Sequence, residues 1–185
     1  MIKNHSEYRT AIDKVRFIFE KKGENAYQDW NNLPLISPIN PQFLLRISSD
    51  FGDRLHPIFH IPLKHKGIDF VSKQGTNIRS TGNGIVIKIV YSDKGYGNRI
   101  IIKHNDEYKT KYAHLDNINV KENQQVKKGD IIGTLGNTGL STGPHLHYEI
   151  IKNNKPIDPM IFTYIKDQDR NIGKYYYHLI ALEKN

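Results

Sequence analysis

The chain has 185 residues, no cysteine and a formal net charge of +8. This length is enough for one domain that folds without covalent cross-links. The lack of cysteine excludes disulfides, cysteine-ligated zinc and cysteine nucleophiles, and no run approaches the ~18 apolar residues of a membrane span. No apolar segment typical of a signal peptide follows Met1, so we expect no leader of that kind in this chain.

The basic residues are scattered along the chain. The densest runs are the lysine pairs at 21–22 and 127–128, which is a weak pattern for nucleic-acid binding. The charge therefore predicts a solvated basic surface that attracts polyanions, among them acidic cell-wall polymers. A nucleic-acid binder is the weakest of the functions considered, and we expect none to be bound.

The N-terminal part is predicted to be a helix followed by an extended arm. Residues 6–22 carry a helical apolar stripe from Ile12 to Phe19, and Gly23 follows as a stop signal. A segment rich in proline and asparagine then runs to about residue 45. We therefore divide the chain into an N-terminal helix and arm (1–45), a main domain (46–162) and a C-terminal extension (163–185).

The main domain is predicted to be mainly β, as a compact antiparallel sheet closed or folded on itself. Short runs rich in Ile, Val and Tyr alternate with turn residues. The predicted strands are residues 44–48, 68–71, 84–91, 98–104, 108–114, 130–135 and 145–152. Residues 50–64 are predicted to form a long loop, and loops of such length in a compact domain are usually functional.

A metal site is predicted from four residues. His145 and His147 lie two residues apart in a β-prone run, so their side chains leave the same face of a strand. They are two metal ligands, or one ligand and one proton-transfer group. Two histidines and one carboxylate with an open position are a ligand set of catalytic zinc. We assign the ligands as His65, Asp69 and His147, with Gly67 letting the backbone turn between the first two.

The remaining histidines are candidates for proton transfer or for structural roles. His114 ends a predicted strand and is expected to share a face with Tyr112. We expect His145 to act as general base and His114 to stabilise a tetrahedral intermediate. Structural roles are expected for His5, His104 and His178. His56 and His60 are spaced for a helical metal site, but the neighbouring prolines oppose a helix there.

Several motifs then occur in one order across residues 46–162, and together they resemble the M23 peptidase family, the lysostaphin-type or LytM-type zinc endopeptidases. The motifs are Phe51-Gly-Asp-Arg54, His65-Lys-Gly-Ile-Asp-Phe70, Gly82-Asn-Gly-Ile-Val86, Gly95-Tyr-Gly-Asn98, Tyr112-Ala-His-Leu115, Val126-Lys-Lys-Gly-Asp-Ile-Ile-Gly133, Gly136-Asn-Thr-Gly139 and Ser141-Thr-Gly-Pro-His-Leu-His147.

The resemblance implies a β-sheet fold with a groove and zinc held by His65, Asp69 and His147. It implies that His114 and His145 are catalytic and that the substrate is bacterial peptidoglycan, in the periplasm or the extracellular cell wall. The segment from Arg54 to Pro57 is more similar to D,D-endopeptidases that cut D-alanyl–diaminopimelate cross-links than to enzymes that cut glycyl-glycine bonds.

Three alternatives remain open. Some relatives lose ligands and persist as peptidoglycan-binding or amidase-activator modules, whereas this sequence keeps all five site positions, which favours an active enzyme. A glycyl-glycine endopeptidase is the second alternative. Thirdly, the arm near Asn31, Asn32 and Pro34 could lie in the groove and fill the open metal position. The sequence predicts no oligomeric state.

Overall fold

The computed structural model describes residues 31–55 and 61–161 of the chain. Within them lie thirteen strands and a short 3-10 helix, Pro159–Ile161. The strands are β1 (Arg46–Ser49), β2 (Gly52–Leu55), β3 (Pro62–His65), β4 (Ile68–Val71), β5 (Asn77–Arg79), β6 (Gly84–Val90), β7 (Arg99–Lys103), β8 (Tyr108–Ala113), β9 (Leu115–Ile118), β10 (Gln125–Val126), β11 (Ile131–Leu135), β12 (His145–Lys152) and β13 (Lys155–Ile157). The predicted mainly β fold is confirmed.

The strands form three antiparallel sheets. The largest follows the order β1-β4-β12-β8-β7-β6-β10, with β13 paired to β12. A second sheet has the order β5-β11-β9, and β2 and β3 form a separate hairpin. No helix among the described residues is long and apolar enough to cross a membrane.

The predicted loop over residues 50–64 is wrong, because β2 and β3 lie within it. Gly52 pairs with His65, and Leu55 pairs with Pro62. These strands were not visible in the sequence because most of their residues are exposed, so they lack the apolar alternation of a half-buried strand. The hairpin places His65 beside β1 and β4, where its ring contacts Ser49 and Asp69.

One face of the large sheet packs into the core. Leu146, Tyr148 and Ile150 of β12 are buried there, with Phe70 and Tyr112 of the neighbouring strands. The buried hydroxyls of Tyr112 and Tyr148 both contact the Thr81 hydroxyl at 2.9 Å, which satisfies their hydrogen-bonding groups. The alternate residues of β12, including His145 and His147, therefore point to the opposite face.

The described part of the arm packs on the core side of the sheet. Leu33 and Leu35 are buried in the core cluster, and the Leu35 N–H donates to the Thr81 carbonyl oxygen. The Asn83 N–H donates to the carbonyl oxygen of Asn31. The hypothesis that residues 31–34 fill the metal site is therefore wrong. The predicted helix over 6–22 and the C-terminal extension lie outside the described residues, and so do His5, His56, His60 and His178.

His104 has a structural role in a buried polar cluster. Its Nδ1 lies 2.7 Å from the Asn83 carbonyl oxygen, which requires an N–H at Nδ1. The neutral ring then accepts at Nε2, which lies 2.8 Å from the Thr110 hydroxyl. Burial lowers the pKa of His104 to about 4. The fold therefore holds this imidazole in its neutral form.

We expect His104 to make the protein less stable in mild acid. Unfolded His104 takes up a proton below its ordinary pKa of 6.5, whereas the folded ring resists protonation down to about 4. The contribution of the neutral ring to the free energy of unfolding is therefore fully present near pH 7. It decreases as the pH falls from 6.5 towards 4, by about 2–3 kcal/mol at pH 4.5. Urea unfolding in EDTA at both pH values would measure it. The variant His104→Gln should lose less stability over the same range, and an unchanged loss would contradict the prediction.

Candidate metal centre and its cleft

The three predicted ligands meet at one point on the open face of the large sheet. His65 ends β3, and Asp69 of β4 lies opposite His147 of β12 in the strand register. His65 Nε2 lies 3.1 Å from Asp69 Oδ1 and 2.9 Å from His147 Nδ1, and His147 Nδ1 lies 2.9 Å from Asp69 Oδ1. Tetrahedral zinc with bonds of about 2.0–2.1 Å separates its ligand atoms by roughly 3.3 Å. The triangle is therefore close to the size that zinc requires.

The hydrogen bonds at the far side of each ring fix which nitrogen can bind a metal. His65 Nδ1 lies 2.7 Å from the Asp50 carbonyl oxygen, so the proton belongs on Nδ1. His147 Nε2 lies 3.0 Å from Glu149 Oε1, so its proton belongs on Nε2. The remaining nitrogen of each ring is then an acceptor aimed at Asp69 Oδ1. Three acceptors this close need a cation between them, which fits a metal ion.

The surrounding charges favour a cation at the same point. Burial alone would raise the pKa of Asp69, but hydrogen bonds and charge from His147 and His65 outweigh it and hold the pKa well below its usual range. His147 lies between Asp69 and Glu149. Burial opposes its protonation, yet the two carboxylates raise the pKa of His147 overall. Electrostatics that attract a proton also attract a divalent ion, and the two compete for His147 Nδ1.

His114 and His145 lie beside this triangle with their rings 4.6 Å apart between centroids. His114 Nδ1 lies 2.7 Å from the Thr138 carbonyl oxygen, and His145 Nδ1 lies 2.8 Å from that of Gly143. Each Nδ1–H is thus engaged, which leaves both Nε2 atoms as acceptors. His145 Nε2 lies 3.9 Å from Asp69 Oδ1. Burial lowers the pKa of His114 to about 4, against the hydrogen bond to Thr138.

His114 reaches the site because the backbone leaves the strand alternation. It follows β8 and has a φ of 60°, a left-handed conformation that is uncommon outside glycine. The expectation that Tyr112 shares its face is therefore wrong, because Tyr112 points into the core and contacts Thr81. Backbone conformations of this kind are often found at functional sites.

An open cleft of about 520 Å³ leads to the triangle. Its lining includes Asp69, His114, His145, His147 and the segment 140–144. Arg46 and Arg54 also line the cleft, and Arg54 Nη2 lies 3.3 Å from Asp69 Oδ2. All five predicted site residues are thus brought together, although they come from β3, β4, β12 and the turn after β8.

Comparison with known proteins identifies the family. The model for peptidase family M23 matches residues 63–159, which contain all five residues. The chain belongs to peptidase family M23. Zinc is therefore identified as the cofactor. The M23 family, the two ring nitrogens with one carboxylate, and the open side of the cleft all fit this metal.

Two curated relatives are named as endopeptidases. The chain is 45% identical over 122 residues to the DD-carboxypeptidase/endopeptidase Mpg of Neisseria meningitidis, covering 66% of this chain and 28% of Mpg. It is 38% identical over 143 residues to the peptidoglycan DD-endopeptidase ShyA of Vibrio cholerae, covering 77% of this chain and 32% of ShyA. The chain thus spans about a third of the length of these curated relatives.

Solved M23 structures share the fold. A zinc-containing peptidase from Vibrio cholerae is 39% identical with a TM-score of 0.62, over 71% of this chain and 39% of that one. The catalytic domain of lysostaphin from Staphylococcus simulans is 33% identical with a TM-score of 0.59, over 65% of this chain and 92% of that one.

Gly67 has a different role from the expected one in this M23 site. It does not have the positive φ of a glycine-dependent turn. Instead, a Cβ at Gly67 would lie 2.2 Å from the Tyr148 carbonyl oxygen. The glycine therefore allows the backbone between His65 and Asp69 to approach β12, which carries His147, the third predicted ligand.

Two side chains behind His147, Glu149 and Lys111, were not predicted from the sequence. Glu149 is buried, and its carboxylate contacts His147 Nε2 through Oε1 and Lys111 Nζ at 2.7 Å through Oε2. Lys111 Nζ also lies 4.2 Å from the centre of the Tyr96 ring. Burial would raise the pKa of Glu149, but His147 and Lys111 lower it to about 2. The period of two from His147 to Glu149 was a signal that could have found this carboxylate.

We expect Glu149→Gln to weaken zinc binding by about 10- to 100-fold, because partners that orient a ligand histidine affect metal affinity by this amount. The amide keeps the shape of the side chain but removes the charge that balances the His147 N–H. Titration against a calibrated chelator would measure the affinity. Glu122→Gln is the matched control, since Glu122 is exposed and contacts only the Ile89 N–H among its described neighbours. Wild-type affinity in Glu149→Gln would contradict the prediction.

Proposed function

We propose that the protein is a zinc-dependent endopeptidase that hydrolyses peptide cross-links of bacterial peptidoglycan, as a DD-endopeptidase. The observation that carries the proposal is the arrangement of acceptors. Three converge where a metal ion fits, and the free Nε2 atoms of His114 and His145 face the same open cleft. A passive binding module has no need of such a set.

In this proposal His65, Asp69 and His147 hold the zinc ion. When bound there, zinc supplies Lewis-acid chemistry, which acidifies a water molecule and polarises a peptide carbonyl. Arg54 holds the second oxygen of Asp69, and Asp50 and Glu149 hold the outer nitrogens of the two histidines. These contacts fix the ligand geometry before substrate arrives.

His145 is the proposed general base. Its ring is oriented by the Gly143 carbonyl oxygen and by the Ser141 hydroxyl, which lies 3.0 Å from Nδ1. The neutral Nε2 can accept a proton from the attacking water and pass it to the leaving amine, so that one ring serves both steps of peptide hydrolysis. The product carboxyl and amine then leave through the open side of the cleft.

His114 is the second proposed catalytic histidine. Its Nδ1–H donates to Thr138, so Nε2 can accept a hydrogen bond from water or substrate. It can donate to an oxyanion only after it takes up a proton itself. The tautomer therefore supports a role in orienting the nucleophile more directly than the expected stabilisation of a tetrahedral intermediate.

The substrate class rests on the relatives. Mpg is named a DD-carboxypeptidase/endopeptidase and ShyA a peptidoglycan DD-endopeptidase. We extend this activity to the present chain, with D-alanyl–diaminopimelate cross-links as substrate and the periplasm or cell wall as its location. Residues 46–162 are the proposed catalytic domain, between the N-terminal helix and arm (1–45) and the extension (163–185).

Digestion of purified substrates tests the proposal. The full chain with zinc should cleave cross-linked muropeptide dimers to monomers and should leave pentaglycine intact. EDTA should stop cleavage, and added zinc should restore it. Cleavage of pentaglycine alone would indicate a glycyl-glycine endopeptidase. A folded protein that binds zinc and peptidoglycan but cleaves neither substrate would overturn the proposal in favour of a binding module.

A further inference from the structure

The charges that line the cleft do not cancel. Among the described residues that line the cleft, Asp69 is the only carboxylate, and two arginines, Arg46 and Arg54, line the cleft with it. Arg54 lies 3.3 Å from Asp69, which compensates that pair. Arg46 contacts no carboxylate among residues 31–55 and 61–161, and the metal ion would add further positive charge. The uncompensated positive charge of the cleft therefore favours the binding of an anionic group.

The strand register places Arg46 in line with the proposed general base. Arg46 of β1 lies opposite Val71 of β4, and Val71 lies opposite His145 of β12. Side chains directly opposite one another leave the same face of a sheet, so all three point into the cleft that they line. Two strand spacings separate the backbones of Arg46 and His145, about 10 Å. The side chains of Arg46 and His145, at the two ends of this row, can therefore contact the same substrate molecule.

The chemistry of a DD-peptide bond supplies the matching anion. The bond joins a D-alanyl carbonyl to an amine. The carbon that carries this amine also has the D configuration, and it carries a free carboxylate. This holds for the diaminopimelate cross-link, cut by an endopeptidase, and for terminal D-alanine, removed by a carboxypeptidase. A glycyl-glycine bond inside a bridge has no such carboxylate. Of these two classes of bond, only the DD-peptide bond therefore places an anion next to the amine that receives a proton from His145.

We propose that Arg46 binds the carboxylate adjacent to the leaving amine and so selects DD-peptide bonds. The inference rests on the proposed function and deepens it. The planar guanidinium can donate two parallel hydrogen bonds to a carboxylate, which fixes orientation as well as charge. With the carboxylate held there, the leaving amine faces His145. Arg54 is unsuited to this role because one of its amino groups is held by Asp69.

Paired substrates give a direct test. The full chain with zinc is assayed on a cross-linked muropeptide dimer and on the same dimer with this one carboxylate converted to a carboxamide. Wild type should prefer the carboxylate form by about 10- to 100-fold in kcat/KM, the size of a charge-assisted hydrogen-bonded pair. Arg46→Gln should lose this factor on the carboxylate dimer, mainly through KM, and should cleave the carboxamide dimer as wild type does.

Two further variants serve as controls. Arg46→Lys keeps the charge but not the paired hydrogen bonds, so its loss should be smaller. Lys88→Gln removes one positive charge from an exposed position of β6, four strands away from β4 in the sheet order, and should show no loss. It controls for general attraction of the basic protein to an anionic substrate. Zinc content and circular dichroism establish that each variant is folded and loaded.

The outcomes separate the inference from the proposed function. Equal losses of Arg46→Gln on both dimers, or no loss on either, would overturn the role of Arg46 while cleavage by wild type still supports a DD-endopeptidase. Failure of wild type to cleave the carboxylate dimer would overturn the proposed function itself. Loss confined to the carboxylate dimer would support both.

Discussion

Replacing His145 by alanine should slow peptide hydrolysis by at least about 100-fold while the protein keeps its zinc. His145 lines the cleft, but its Nε2 lies 3.9 Å from Asp69 Oδ1, outside the tight triangle of ligand atoms. Its Nδ1 is held by Gly143, so Nε2 is the atom available for proton transfer. Loss of a general base and acid costs about 10²- to 10⁴-fold in rate. We expect kcat on muropeptide dimers to fall by that amount.

Zinc content and activity must be measured on the same preparation of this variant. Metal analysis should give wild-type occupancy, and circular dichroism should be unchanged. His104→Gln is a matched histidine control, because His104 lies in the core and should be dispensable for activity at pH 7. If His145→Ala lost its zinc, His145 would be a ligand and our assignment of the site would be incorrect.

Replacing Asp69 by alanine should remove both zinc and activity. Asp69 supplies the only carboxylate of the triangle, at 2.9–3.1 Å from the two histidine nitrogens. Its loss leaves two neutral nitrogen donors and also leaves Arg54 without its carboxylate. Changes to groups that merely orient ligands already cost up to about 100-fold in affinity, so loss of a ligand should cost more.

Chelator competition would measure the zinc affinity of Asp69→Ala, and the dimer assay its activity. Asp69→Asn keeps the shape of the side chain but not its charge, and so separates the loss of charge from the cavity left by alanine. We expect Asp69→Asn to lose zinc as well. Wild-type zinc affinity in either variant would exclude Asp69 as a ligand. Comparison of the two Asp69 variants with His145→Ala distinguishes a residue that binds the metal from one that transfers protons.

The strands and the site residues were largely predictable from the sequence, for a local reason. The side-chain period of a strand is two residues, so His145 and His147 had to share a face wherever β12 lay. The buried strands β4, β7, β8 and β12 showed as apolar or alternating runs. Strands β2, β3, β5, β9, β10 and β13 are short and have at most one buried residue each, so they lack a run of apolar residues that the sequence could show.

Other features depended on contacts between distant segments. The direction of the His114 side chain follows from a left-handed backbone at a strand end, which the alternation of β8 does not indicate. Gly67 was expected to form a turn, but its importance comes from its approach to Tyr148, about eighty positions away in the chain. The contacts that set the histidine tautomers come from Asp50, Gly143 and Thr138, whose carbonyl groups carry no sequence signal.

The sequence by itself determined the chemistry that this protein carries: the histidines and the carboxylate of a zinc site, the β class and the family motifs. Side-chain identity and strand period are local properties, so they can be recognised in the sequence without knowledge of the fold. Only the tertiary structure decided which nitrogen of each ring is free, that Arg46 stands in one row with His145, and that the arm at 31–35 packs away from the cleft. Those features depend on strand order and register, which arise when distant segments bury their apolar faces together.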